Sequence, residues 1–280
     1  LKSTVLVGCD PELFMRNPNT GAFVSADDLE HGPRIPGTKW EPHKVPFGAV
    51  QIDGTALEFN IDPAKTCDEF VHNIQSVMNT MINMVPGYNV VAEPVARFEP
   101  DYFKFQVPSH AQELGCNPDY SGWTMTTNPA PDPAGEPFRT ASGHIHIGWT
   151  EDKDIEDKDW FMLCCRFARQ LDYYLGMYSL FWDKDPVRRS LYGKAGAFRP
   201  KSYGLEYRVL SNRWLDSDPL MRWVYNTTQV AMADGFSGLW AEDNYGDIAQ
   251  TVINTNDVDW PEHYPECDLH LDPLTLLKAA

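Results

Sequence analysis

The stretch that decides the fold is Arg139–Trp149, RTASGHIHIGW. Alternate residues of an extended strand share a face, so His144 and His146 point one way and Ile145 and Ile147 the other. One such strand proves little, because a histidine is more often a satisfied core or surface residue than a ligand. Three further segments repeat the design, however. VLVGCDPELFM sets Asp10 and Glu12 on one face. DGTALEFNI sets Glu58 and Asn60 opposite Leu57, Phe59 and Ile61. YGLEYRVL sets Glu206 and Arg208 opposite Leu205, Tyr207 and Val209. A plain solvated sheet face carries Thr, Ser, Lys and mixed charge, whereas these pairs carry carboxylates, imidazoles, an amide and one guanidinium. If the strands are neighbours, the carboxylates repel one another unless cations sit between them. Carboxylates beside a neutral imidazole suit Mg²⁺ or Mn²⁺.

Around the last strand lies DPVRRSLYGKAGAFRPKSYGLEYR, with Arg188, Arg189, Lys194, Arg199 and Lys201. In a chain of net charge −17 such a run marks an anion pocket. Carboxylate-held divalent ions beside arginines and lysines are how phosphoryl transfer is arranged. No GxxxxGK[ST] and no GxSxG occurs, which excludes a P-loop and a nucleophile elbow.

The remaining features bound the answer. The length of 280 residues and 42% hydrophobic content allow a sizeable core. The acidic surface disfavours a gripped nucleic-acid polymer or an anionic membrane. No long apolar run predicts a membrane span, and LKSTVLVGCDPELF does not read as a secretory signal. The six cysteines include no CxxC pair and read as free thiols of a reducing cytosol. Helices are predicted over 67–85, behind a Thr66/Glu69 capping box, and over 157–182 and 218–240. The Pro-rich stretch 108–141 is a candidate lid, with Asp119 or Glu113 placed to bind an amine. We expect a catalytic unit over 1–242 and an acidic extension over 243–280.

The motifs GCDPELF, DGTALEFN, SGHIHIGW and GLEYRVLSN, in that order, resemble the glutamine synthetase and glutamate–cysteine ligase superfamily. With IPGTKWEP, LGCNPDY and YGKAGAFRPKSYGLEYRVLSN, the chain is most similar to its phage branch, the phiEco32-like COOH–NH2 ligases of type 2, over about residues 5–240. The resemblance implies an α+β fold with a curved, largely antiparallel sheet and helices on its apolar face, like a glutamine synthetase catalytic domain. It implies an ATP- and Mg²⁺- (or Mn²⁺-) dependent, ADP-forming carboxylate–amine ligase working through an acyl phosphate in the host cytoplasm. Its partners would be small-molecule or peptide carboxylates and amines, with a homo-oligomer left open. Carried over by position, Asp10, Glu12, Glu58, His144 and Glu206 would hold metal, and Arg189, Lys194 and Lys201 would face ATP. Arg199, Arg208 and His146 would serve catalysis, and Asn60, His146, Arg208 and Asp119 would touch substrate. Glu58 is the one clear match to the second carboxylate strand of the synthetases, and Asp53 is a poor one. Two other readings stand beside this: a guanidino-type phosphotransferase on the same fold, and a non-enzymatic nucleotide- or metal-binding phage protein.

Overall fold

The alternating segments do become strands, but Pro11 decides which sheet each joins. The computed structural model describes residues 4–28, 35–38, 41–112, 119–131 and 136–271. In chain order the strands are β1 (Leu6–Cys9), β2 (Glu12–Arg16), β3 (Phe23–Val24), β4 (Gly37–Thr38), β5 (Glu41–Val45), β6 (Gly48–Asp53) and β7 (Ala56–Ile61). There follow β8 (Asn89–Val91), β9 (Val95–Arg97), β10 (Tyr120–Ser121), β11 (Phe138–Thr140), β12 (Ile145–Gly148), β13 (Ala197–Lys201) and β14 (Gly204–Tyr207). Proline has no N–H to give a ladder. The chain therefore leaves β1 at Cys9, passes through Asp10-Pro11, and re-enters pairing at Glu12 in a different sheet.

The first sheet has five strands in the order β1-β12-β14-β13-β10, and its named pairs are all antiparallel. The second has seven, running β3-β2-β7-β6-β5-β4 with β8 against β2, and β9 pairs β11 in a third. The two large sheets meet where Val7 bridges to Ala64, just past β7. The expected curved single sheet is thus corrected. Among the described residues the molecule is mixed α/β with three antiparallel sheets, none of them closed or strongly curled. Asp10 and Glu12 do not share a face of one strand. They flank the crossing from one sheet to the other.

Helices cover the apolar faces. Val7, Ile145, Ile147, Phe198, Leu205 and Tyr207 are buried in one core with the helix Lys158–Leu171 and the π-turn Asp172–Gly176 that continues it. The helix Cys67–Asn83 packs on β6 and β7. Its cap differs in detail from the expected box: Thr66 Oγ1 accepts from Glu69 N, but the Glu69 carboxylate accepts from Lys65 N. The helix expected over 218–240 is Asp218–Phe236, with Ser237 at its C-cap. Trp260 and Cys267 are buried in the same core. Cys9, Cys67, Cys164, Cys165 and Cys267 are free thiols. No helix among the described residues is long and apolar enough to cross a membrane.

Gly204 is where the sheet tolerates no side chain. A Cβ there would overlap the carbonyl oxygen of Ile147 and crowd the Trp149 ring. Gly204→Ala is therefore expected to cost about 3 kcal/mol or more, because backbone must yield. A urea melt monitored by tryptophan fluorescence reads it, and an unchanged midpoint would contradict the packing.

Candidate functional site

Strand register brings the distant motifs into one row. On the polar face of the five-stranded sheet, Gly8 lies opposite His146, His146 opposite Glu206, and Glu206 opposite Arg199. Asp10, at the end of β1, completes the group: ligand atoms of Asp10, His146 and Glu206 all lie within 4.8 Å of one another. A second group forms across the crossing. Glu12 is directly opposite Glu58, which is directly opposite Gln51. The ligand atoms of Glu12, Asp53 and Glu58 again lie within 4.8 Å of one another.

The two groups differ electrostatically. In the first, Glu206 is buried against three cations. Lys201 Nζ is 2.7 Å away, Arg199 Nη1 is 3.5 Å away, and Arg208 makes the closest contact. Burial and Asp10 push the Glu206 carboxyl up, but Arg208, His144 and His146 outweigh them and hold it down to about 2. Burial likewise raises Asp10, and the imidazoles of His146 and His144 more than offset it, leaving the acid well below its ordinary range. In the second group Arg188 pulls Glu12 down but does not outweigh burial and the neighbouring acids. Burial, then Asp53, push Glu12 up to about 7, although Ser142 N donates to its Oε2 at 2.7 Å. Burial, then Asp10 and Glu12, push Glu58 well above its ordinary value, with only Gln51 Nε2 donating at 2.8 Å. Crowded, raised carboxylates are the donor set that a hard divalent cation relieves.

Both histidines face the acids. His146 joins the ligand cluster, its Nε2 3.2 Å from Asp10 Oδ2. Its Nδ1 shares a 2.5 Å hydrogen bond with Tyr203 Oη. His144 sits deeper, and burial, then Arg208, pull it down to about 4. Its Nδ1 meets Arg208 Nη1 at 3.2 Å and also faces Asp10 Oδ1 at 3.4 Å and Glu206 Oε1 at 3.6 Å. Arg208 and Asp119, expected to hold opposite substrates, pair with each other at 3.0 Å. Asn128 holds the other Asp119 oxygen at 2.9 Å. Glu113 lies outside the described residues.

Arg199 and Lys201 stand beside Glu206 on the polar face, but Arg189 does not. It is buried on the helical side, donating to Asn256 Oδ1 at 3.1 Å with Asp183 at 3.7 Å. Lys194 lines a small cleft with Asp119, Asn128 and Tyr192. Asn60 lines a large cavity beside Glu58. Asp53, a poor match by sequence, is a full member of the second cluster. Its signal was the Asp53-Gly54 turn, a hairpin marker that folds β6 onto β7 and puts Gln51 and Asp53 on the face of Glu58. Tyr203 carried no motif signal at all.

Residues 135–236 match the family model of the phage phiEco32-like COOH.NH2 ligases, type 2. The match agrees with the resemblance carried by the strand motifs and supports a ligase-type function. It spans β11 to β14 and so includes His144, His146, Arg199, Lys201, Glu206 and Arg208. Asp10, Glu12, Asp53 and Glu58 fall outside it. No curated protein matches the chain. The two acid clusters are consistent with bound metal.

Proposed function

We propose that the protein is an ATP- and Mg²⁺-dependent carboxylate–amine ligase that releases ADP. The observation that carries this reading is the position of Glu206. One carboxylate belongs to an acid–imidazole cluster on one side and to Arg199, Lys201 and Arg208 on the other. Asp10, His146 and Glu206, and separately Glu12, Asp53 and Glu58, would hold the divalent ions. When bound, these supply Lewis-acid polarisation and charge neutralisation at phosphate oxygens.

This chain's own residues do the rest. Arg199 and Lys201 place positive charge where the transferring phosphoryl group gains negative charge. Arg208 receives the substrate carboxylate in exchange for Asp119. A carboxylate oxygen attacks the γ-phosphorus, the bond to the bridging oxygen breaks, and ADP departs. The amine nitrogen then attacks the acyl carbon. The C–N bond forms, the C–O bond to phosphate breaks, and the proton that the amine gives up passes to the departing phosphate. Tyr203 holds the ring of His146 in place for both steps.

Calorimetric titration of Mg²⁺–ATP tests this. Wild type is expected to bind, and Arg199→Ala/Lys201→Ala to bind at least tenfold more weakly. A folded wild type that takes up no nucleotide with Mg²⁺ or Mn²⁺ would remove the reading.

A further inference from the structure

If a substrate carboxylate is to replace Asp119 on Arg208, more than one side chain has to move. Asp119 Oδ2 sits 3.0 Å from Arg208 Nε, while its Oδ1 accepts from Asn128 Nδ2 at 2.9 Å. Asn128 N also donates to the Asp119 carbonyl at 2.8 Å. The carboxylate is therefore tied to its own loop and does not turn aside alone. Residues 119–128 form a small hairpin, in which Tyr120 bridges to Thr127 and Ser121 N donates to Thr126 O. It hangs on the sheet by the outermost strand, β10, which pairs β13 at Tyr120 and Ser121. Thr124, Met125, Thr126 and Thr127 are exposed at its tip. Trp123 fastens it to the body of the protein. Its Nε1 donates at 2.6 Å to Oδ2 of Asp172, in the π-turn that follows the helix Lys158–Leu171. Asp172 is fully buried, and its Oδ1 accepts from Tyr207 Oη at 2.7 Å. One carboxylate thus ties the hairpin that carries Asp119 to the strand that carries Glu206 and leads into Arg208. The seat is close-fitting. A Cβ at Gly196 would fall 2.7 Å from the Trp123 ring, and one at Gly122 would fall 2.8 Å from the Cys165 carbonyl oxygen.

We propose that residues 119–128 are a gate over the carboxylate site and that Asp172 is its latch. With the gate closed, Asp119 is an internal stand-in for the substrate acid on Arg208. The gate opens when the hairpin lifts from β13 and takes Asp119 and Asn128 with it, and the incoming carboxylate then takes Arg208. Asp172 is a positioning residue, since it acts through Trp123 and touches no reactant. Three observations point the same way. Asp119 and Asn128 move together or not at all. A short edge strand with an exposed tip belongs to the part of a fold that opens most readily. The bond that opposes its opening lies out of water, where it is strongest, and an indole N–H can only donate, so an acceptor must face it. π-Turns of this kind recur where a helix serves function. Lys194, beside Asp119 and Asn128 in the cleft at the root of the hairpin, offers an arriving acid its first cation. The inference rests on the ligase reading for what comes to Arg208, and not for how the hairpin is held.

The test is phenylglyoxal labelling of arginines in the nucleotide-free protein, with the rate at each residue read from peptide masses. The reagent modifies a guanidinium only when it can reach it, so the rate at Arg208 reports the open gate. Trp123→Phe keeps a ring in the seat but loses the N–H, and is expected to speed labelling of Arg208 at least about tenfold. Asp172→Leu fills the same space without an acceptor and is expected to match it. Asp172→Asn is expected to stay within about threefold of wild type, because its amide oxygen keeps the indole N–H while the Tyr207 hydroxyl turns to accept from the amide nitrogen. That rescue separates the hydrogen bond from mere packing. Arg188 and Arg189, buried elsewhere in the fold, are the internal controls and should stay protected in every variant. An Arg208 rate left unchanged by Trp123→Phe and Asp172→Leu would overturn the gate. So would equal acceleration at Arg188 and Arg189, which would mean general loosening. Calorimetric titration of Mg²⁺–ATP into the same proteins separates the gate from the ligase reading. Release of Arg208 in protein that binds no nucleotide would support the gate while the ligase reading fell. Nucleotide binding with Arg208 equally protected throughout would overturn the gate and leave the ligase reading intact.

Discussion

Glu206→Ala is expected to lose Mg²⁺–ATP binding by roughly 100-fold or more and to cost about 3–5 kcal/mol of folding stability. The two losses share a cause. Glu206 is 1% exposed and is the common partner of Lys201, Arg199 and Arg208. Removing it leaves Arg208, only 4% exposed, with Asp119 as its remaining carboxylate among the contacts described above. Deleting one partner of a buried ion pair strands the other charge, which costs far more than the pair's net worth. Lys201→Met makes the contrast. Its side chain is a third exposed, so that variant should cost under about 1 kcal/mol while still weakening nucleotide binding. The double variant Glu206→Ala/Arg208→Met should be less destabilised than the sum of its parts, since the guanidinium that loses its nearest carboxylate is removed with it. Urea melts of the four proteins decide it. Strict additivity would mean that Glu206 and Arg208 do not act as a unit.

Divalent-metal affinity at the second cluster is expected to rise about tenfold or more between pH 6 and pH 8. Burial, then Asp53, push the Glu12 carboxyl up to about 7, and Glu58 is raised too. Below that pH a proton competes with the metal for the same oxygens, and each proton displaced is worth up to about tenfold per pH unit. The stability of the metal-free protein runs the other way. A carboxyl with a raised folded-state pKa contributes stability that is fully present below its unfolded value. That contribution is lost as pH rises through about 7. The rise in Tm produced by Mn²⁺ should therefore grow with pH. Mn²⁺ titrations followed by electron paramagnetic resonance give the affinities. Calorimetry in buffers of different ionisation enthalpy gives the protons released. A pH-independent affinity without proton release would show that Glu12 and Glu58 are not displaced from their protons by metal.

Much of the site was legible because period-two alternation is a local signal. It set His146 and Glu206 on a polar face, and the register then made them direct neighbours. What alternation cannot say is where a strand ends. Asp10 and Glu12 satisfy it perfectly, yet Pro11 sends them to different sheets, so one metal set became two. That Arg208, from another strand, would share His144 with the acids was also hidden. Arg189 is drawn inward by Asp183, a few residues before it, and by Asn256, far along the chain, and the second of these left no local signal. The capping residues, the helices and the Asp53-Gly54 hairpin are local and were readable. Long-range pairing of charges was not.

The crossing at Pro11 also bears on how the protein folds. β5, β6 and β7 are joined by short turns and need little chain closure, whereas β1 must find β12, Leu6 against Gly148. Pairings that close long loops pay their entropy before contacts repay it, and so tend to come late. Both acid clusters depend on this junction, since Asp10 and Glu12 flank it. Their ligand sets would then be incomplete at the rate-limiting barrier and complete only beyond it. Interactions absent from the barrier slow the way out and leave the way in untouched. Mn²⁺ is thus expected to lengthen the native lifetime without hastening refolding, a kinetic lock set by a single proline.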